Sequence, residues 1–480
     1  MQRVIPSPPV SNKLLGFVSG HLIDIMSASQ KHGSKSLMMG LFLKRNEWYA
    51  QTNSKTFSIN LPGVQMVMCS DPTIFKEVLG PKQDHFASNE AVRKVVAQFF
   101  PSNIGALEGQ QWQVVRKWMQ RAVNKQPFDP LVKVMGELAE KIGEHPNVNE
   151  LETIDIWSKV SFDAFFRVLY GWDPQAISES EESMALVSSA MEFSRALSER
   201  ILLPIPLLWY LPTPGNRRIE SAIRYLNAYA MSMISKRKEE RKHGQIEGHQ
   251  SFLDLMIAAS ESDESKISDR VVTENIAGLF FAAYDTTSAS LHMILNHLAR
   301  APRVQEKLRE CLRARFPLKA DFENATMADL EQVAYLGHIV DEVSRLHAVV
   351  PFFVRSCISD VEIGGMHFRR GMQVAIDHSA VARNPEFWNN QTDLDQFRPE
   401  RWAKFTPSRA TSGLSFGAGS RICLGRSLAL AEMKAFVAAA VSRYRVGLRV
   451  PDEPLELDTR LLLQLRSGTG NLTFERLQYQ

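Results

Sequence analysis

The sequence predicts a mainly α-helical chain with small β-sheets, an α+β fold. Three observations lead there. Between about 108 and 345, apolar residues recur at helical spacing in long segments. Short β-like runs elsewhere break at turn residues: FSINLPGVQMVMCS at Pro62-Gly63, and VEIGGMHFRRGMQVAI at Gly364-Gly365. The chain has 480 residues, 44% of them hydrophobic and 23% charged, ample for a large core. No internal repeat and no obvious linker between independent domains interrupts it.

In chain order, the first hundred residues mix short strands with helices. The Pro62-Gly63 run is a hairpin. Helices then follow to about 345, with a break in LLPIPLLWYLPTPGNRR (202–218) that carries apolar surface. Such surface serves as a substrate-channel lip, a peripheral membrane contact or a packed loop. The charge run SKRKEERKHGQIEGHQ (235–250) reads as a solvated helix end and loop. After 355 come the Gly364-Gly365 hairpin, a strand, polar turns to about 415, and a helix from about Leu424 to Tyr444. The last run, LLLQLRSGTGNLTFERL, is expected to form a hairpin turning at Gly468-Thr469-Gly470.

A net charge of +3 argues against a nucleic-acid partner. Cys69, Cys311, Cys357 and Cys423 are widely spaced, which suits a reducing compartment rather than a disulfide framework. No apolar stretch approaches the ~20 residues of a membrane span, and MQRVIPSPPVSNKLLGF lacks the apolar run of a secretory signal. The expected location is the cytoplasm, or the endoplasmic reticulum membrane if an N-terminal anchor has been removed. Nothing in the sequence demands more than a monomer.

The chemistry concentrates in FGAGSRICLG (416–425). Gly417, Gly419 and Gly425 let the backbone turn sharply and approach a flat ligand. Cys423 sits where loop becomes helix, a place that favours a thiolate. Arg421 can pair with an anionic group, and Phe416 can shield the sulfur from water. A buried packing cysteine is the bland alternative, but a thiolate can also be the single axial ligand of haem iron.

This pattern resembles the haem-binding signature of the cytochrome P-450 family, F-x-x-G-x-R-x-C-x-G, at Phe416, Gly419, Arg421, Cys423 and Gly425. Four further motifs fall in the family's order. AAYDTTSA places Ala282, Asp285, Thr286 and Thr287 on an apolar helix, with Ala283 replacing the family's usual glycine. Gly278, Ala282 and Thr286 share one face there. EVSR gives Glu342 and Arg345, and FRPERW gives Arg401. GQQWQVVRK sets Trp112 and Arg116 one helical turn apart. Arg355 follows VVPFFV, where the family commonly places another contact. Read without the resemblance, these are a locally satisfied polar pair, surface ion pairs and a half-buried helix.

The resemblance covers about residue 50 to the C-terminus and implies a single domain of the cytochrome P-450 fold over 51–480 behind an N-terminal entry segment, 1–50, with haem b between a long central helix and the cysteine loop. Cys423 would be the metal ligand. Trp112, Arg116, Ala282, Arg355, Phe416, Arg421 and Gly425 would bind the cofactor, with Trp112, Arg116 and Arg355 at the propionates. Asp285 and Thr286 would relay protons as catalytic residues, and Glu342, Arg345 and Arg401 would form a structural network. The implied activity is insertion of one oxygen atom of O2 into a lipophilic substrate, by hydroxylation or epoxidation. The segment after Cys423 is too short for a flavin or iron–sulfur domain, so NAD(P)H acts indirectly through a separate reductase or ferredoxin. Lys117, Arg121, Lys125 and Arg426 are candidates for a cationic docking patch. Candidate substrate contacts, from family position, are Phe86, Phe280, Val350, Phe352, Phe353 and Ser467, together with the 192–212 segment, with an extended lipid favoured. Two alternatives stay open. One is a haem-thiolate isomerase, dehydratase or peroxide-driven enzyme on the same fold. The other is a non-enzymatic haem sensor or carrier.

Overall fold

The computed structural model describes residues 4–11, 19–145, 148–150, 152–202, 209–244, 250–262, 267–404, 414–459 and 461–477. Two helices, α1 (Leu22–Lys31) and α2 (Leu37–Thr52), precede the hairpin of β1 (Thr56–Leu61) and β2 (Val64–Cys69). Leu61 pairs with Val64, so Pro62 and Gly63 alone make the turn, and Gly63 takes the positive φ of 75° that it needs. Next come α3 (Pro72–Leu79), β3 (Phe86–Ser88) and α4 (Glu90–Phe99). The helical stretch contains α5 (Gly109–Asn124), α6 (Asp129–Glu144), α7 (Thr153–Phe165), α8 (Glu181–Leu202), α9 (Pro214–Lys242), α10 (Phe252–Ser260), α11 (Asp269–Arg300), α12 (Pro302–Arg315) and α13 (Ala334–Leu346). Four strands follow: β4 (Phe353–Cys357), β5 (Val361–Ile363), β6 (Met366–Phe368) and β7 (Gln373–Ile376). The chain closes with α14 (Arg426–Arg443), β8 (Tyr444–Leu448), β9 (Leu457–Thr459), β10 (Leu463–Leu465) and β11 (Leu472–Arg476).

The protein divides into two compact units: residues 1–93, 341–423 and 457–464, and residues 94–340, 424–456 and 465–480. The first is built on a five-stranded sheet ordered β1-β2-β7-β4-β3, with β2 and β7 parallel and the other pairs antiparallel. Strand alternation buries both faces. Val67, Cys69, Val374 and Ile376 join one core cluster with Phe75 and Phe368. Phe57, Ile59, Met68 and Ala375 join another with Trp48.

The second unit is helical. Its longest element, α11, runs 32 residues and packs against α7, α9 and α14. The Ser268 hydroxyl caps it by accepting from the Val271 amide. Ser102–Ile104 is stitched to its first turns: Asn275 donates to the Ser102 carbonyl (3.0 Å), and the Ile104 amide donates to Asn275 (2.9 Å). Asn103 donates to the Glu274 carbonyl at 3.1 Å and lies so close that a Cβ at Gly278 would come within 2.3 Å of its Nδ2.

Several expectations need correction. The C-terminal run is not a hairpin: β10 pairs with β9, and β11 with β8. A turn does exist, with Thr469 donating to the Arg466 carbonyl at 3.0 Å. The segment after it is held elsewhere. The Gly470 carbonyl accepts from His292 (3.0 Å) and Asn296 (2.8 Å) on α11, and the Asn471 side chain accepts from the Thr153 amide at 2.9 Å. The helix after Cys423 starts at Arg426 with Gly425 as its cap, rather than at Leu424. The polar stretch before 415 contains short helices, His378–Val381 and Arg401–Lys404. Of the apolar break at 202–218, residues 203–208 lie outside the described residues. Beside them Trp209 is buried, while Tyr210 and Leu211 are exposed. The charge run extends α9 to Lys242, and residues 245–249 also lie outside the described residues. Among the described residues, no helix is long and apolar enough to cross a membrane.

Candidate active site

Cys423 is the exposed cysteine of the four. Cys69 and Cys357 are buried, and Cys311 is partly so. Burial pushes the Cys69 thiol up to about 12, so that sulfur is a packing group. The loop that presents Cys423 is fixed by its backbone. The Cys423 amide donates to the Phe416 carbonyl at 2.9 Å, and the Gly417 amide to the Leu414 carbonyl at 2.8 Å. Gly417 and Gly419 have φ of 72° and 71°. A Cβ at Gly419 would lie 2.1 Å from the Leu79 carbonyl oxygen, which no side chain can do. Ser420 adds a bond to Gln83 at 2.9 Å. Gly425 differs: its φ is an ordinary −85°, and a Cβ there would meet no protein atom within 4 Å. Its small size therefore leaves surface accessible rather than permitting a turn. Phe416 and Arg421 are half-buried on this loop.

Behind the loop, in the same unit, Glu342 is fully buried and accepts five hydrogen bonds. Arg345 supplies two (both 2.9 Å), and Arg401 Nε (2.9 Å), Trp402 Nε1 (2.9 Å) and the Arg398 amide (3.0 Å) one each. Burial pushes the carboxyl up, but the Arg345, Arg398 and Arg401 donors outweigh it and hold it below the usual glutamate value. Arg345 also donates to the Ala382 and Leu394 carbonyls (3.0 and 2.8 Å), and Arg401 to Asp393. One carboxylate thus ties α13 to the segments at 382–394 and 398–402. Arg355 lies half-buried on β4, paired in register with Ser88 and Val374.

In the second unit, α11 is buried along most of its length, but its centre has an accessible stripe. Ala282 is exposed, and Gly278, Ala283 and Thr286 are partly so. The Thr286 hydroxyl donates to the Ala282 carbonyl at 3.0 Å. Asp285 accepts from the Ser194 hydroxyl of α8 at 2.7 Å. Burial raises the Asp285 carboxyl above its ordinary range, and the Ser194 bond pulls it partway back. A second acid, Glu432 on α14, was not among the candidates read from the sequence, and Ser194 fell only within the 192–212 stretch read as a substrate contact. Glu432 is fully buried, and burial pushes its carboxyl up to about 8 against a hydrogen bond from Thr287. The apolar spacing that marks a helix does not say which residue of a distant helix it meets, so neither contact had a sequence signal.

Trp112 and Arg116 are half-buried on α5. Lys117, Arg121 and Lys125 form an exposed stripe along that helix and its C-cap, and Arg426 is exposed at the start of α14. Three candidate substrate contacts are core residues instead. Phe280 is fully buried against Phe166 (4.9 Å between ring centroids), Tyr170 and Tyr229. Phe86 packs on Phe368, and Phe352 is buried beside Phe42. Helical spacing explains the first: Phe280 and Ala282 lie about 200° apart around the helix axis, so one faces the core when the other faces out. The neighbour Phe281 is half-buried and packs on Phe193. Phe353 stacks on His378, whose ring donates to the Val350 carbonyl at 2.5 Å, and Ser467 is exposed on its turn.

The accessible thiol on the glycine loop of the first unit fits a haem ligand. In the second unit, taken by itself, the centre of α11 presents small residues bordered by an acid and a hydroxyl. Among the described residues, no group of three or more His, Cys, Asp or Glu side chains could chelate a metal ion. Comparison with protein families matches the cytochrome P450 model over residues 35–474. The chain is 25% identical to cytochrome P450 monooxygenase sphH of Aspergillus fumigatus, covering 94% of this chain and 84% of that protein. It is 24% identical to cytochrome P450 94A2 of Vicia sativa (86% and 84% covered) and 24% identical to human cytochrome P450 4F3 (92% and 85%).

Proposed function

The chain belongs to the cytochrome P450 family, and from that premise we propose that it is a haem-thiolate monooxygenase acting on an extended lipophilic molecule. The observation that carries this reading is the exposed Cys423 thiol, on a loop whose shape is set by backbone bonds and by two glycines of positive φ. Cys423 would hold haem b, with Arg116, Arg355 and Arg421 as cations for its carboxylates and Trp112 beside them. When bound, the haem supplies the activation of O2.

The chain's own residues then manage protons and water. Asp285, raised by burial, exchanges a proton closer to neutral pH than an ordinary aspartate does. The Thr286 hydroxyl has its hydrogen engaged with Ala282 and its lone pairs free to accept, so a rotation about χ1 converts it from acceptor to donor. Electrons come from a separate reductase or ferredoxin, for which the Lys117, Arg121, Lys125 stripe and Arg426 offer a cationic surface to an acidic partner. The exposed Tyr210 and Leu211 support a peripheral membrane contact at the substrate side.

The test is the absorption spectrum of the dithionite-reduced protein under carbon monoxide, for the wild type and Cys423→His. A strongly red-shifted Soret band in the wild type, lost in the variant, is expected. A histidine-type band in both, or no haem, sinks the proposal. NADPH-dependent turnover with an added reductase separates a monooxygenase from an isomerase, dehydratase or peroxide-driven enzyme.

A further inference from the structure

We propose that Arg200 on α8 is the anchor for the carboxylate of a chain-like substrate, so that the lipid is a free acid; this rests on the lipid-monooxygenase reading above. Arg200 is 6% exposed. Its guanidinium donates to two neutral amides, the Gln98 side chain through Nη1 and Asn216 through Nη2 (2.9 Å). No carboxylate pairs with it among the described residues, and the neighbouring segment 203–208 contains no acidic residue. The adjacent Glu199 is committed to Arg195 at 3.0 Å. Among the other buried arginines, Arg45, Arg309, Arg345 and Arg401 each have a carboxylate partner, whereas Arg443 donates to the Ala439 carbonyl of its own helix.

An arginine stays charged when buried. Glu199 and Glu220 act on it electrostatically but form no ion pair with it, and two amides replace only part of the hydration lost on burial. They do fix the planar fork, which matches a carboxylate with two parallel N–H donors. A run of aromatic rings, half-buried at Phe99 and Phe281 and buried at Phe193 between them, leads from Arg200 toward Asp285. The guanidinium lies over Phe99, 4.7 Å from the ring centroid. Phe99 packs edge-on against Phe193 at 5.8 Å, and Phe193 against Phe281 at 5.4 Å. Phe281 is one turn before Asp285 on α11. Phe193 adjoins Ser194, the residue bonded to Asp285, and Ser194 lies about 9 Å along α8 from Arg200 at roughly 1.5 Å per residue. A cation at one end of an aromatic wall, and an acid–hydroxyl pair at the other, suits a molecule with an anionic head and an apolar body.

The test is calorimetric titration of the holoenzyme with dodecanoate and with dodecan-1-ol, which share a chain and differ in charge. The wild type is expected to bind the acid roughly 10- to 100-fold more tightly, the range for a charge-assisted hydrogen-bonded pair. Arg200→Gln should abolish that preference while leaving alcohol affinity within about twofold. Arg200→Lys, which keeps the charge but loses the fork, should retain part of it and guards against a misfolded glutamine variant. Equal wild-type affinity for acid and alcohol overturns the proposal, as does equal weakening of both ligands in Arg200→Gln and Arg200→Lys. The readout does not depend on the haem. Acid preference without a thiolate Soret band would therefore overturn the monooxygenase reading alone, and the reverse result would overturn Arg200 alone.

Discussion

Asp285 is tuned by a neighbour that its own helix does not supply. The Ser194 hydroxyl, 2.7 Å away on α8, is the group that restrains the rise of its carboxyl. Ser194→Ala should therefore move the limb of the pH–rate profile that reports Asp285 to higher pH, and Ser194→Thr should restore it. An unmoved limb in Ser194→Ala would mean the bond has no bearing on the acid. The positive-φ turns at Gly417 and Gly419 were readable from sequence because a covalent spacing fixes them: the offsets of the loop are the offsets of the chain. Ser194 and Arg200 were not, because their meaning depends on what another helix brings to them. Phe280 was misread for the same reason, since the apolar pattern marks a helix but not which of two adjacent phenylalanines faces inward.

At the scale of elements, Glu342 concentrates the stability of the segment that ends in the cysteine loop. Removing a partner from a buried, fully bonded ion pair costs about 3–5 kcal/mol, so Arg401→Ala should lower the urea midpoint by a corresponding amount and reduce haem retention. A loss under 1 kcal/mol would show the network to be incidental. Gly419→Ala faces a harder obstacle, a carbonyl at 2.1 Å and a φ of 71°. It should yield protein that does not incorporate haem, measurable as the Soret-to-protein absorbance ratio. The hairpins at Pro62-Gly63 and Gly364-Gly365 were legible because two-residue turns force neighbours to pair. The C-terminal run was not. Its turn is longer, and Asn471 and the Gly470 carbonyl bind helices more than 150 residues away in sequence.

For the whole molecule, three buried acids and bases set how stability responds to pH. Burial lowers His292 to about 4, so folding stability is lost as pH falls from 6.5 toward 4, by about 3 kcal/mol in all. Burial raises Asp163 to about 6, and its contribution has the opposite sign: it is lost as pH rises through 6. The two largely offset each other between pH 4 and 6. Glu432, raised to about 8, has no such counterweight, and stability falls as pH climbs from its unfolded value of 4.5 through 8. Glu432→Gln should remove that decline, gaining about 2–4 kcal/mol at pH 9 and much less near pH 5, by urea titration at both. An equal change at the two pH values would contradict it. The close fit of Asn103 against Gly278 acts on a different timescale, that of descent. While position 103 is asparagine, position 278 is closed to any larger residue, and a lineage can enlarge the second only after shrinking the first. The two sites should therefore drift as a pair, with glycine at 278 inherited wherever asparagine is kept at 103.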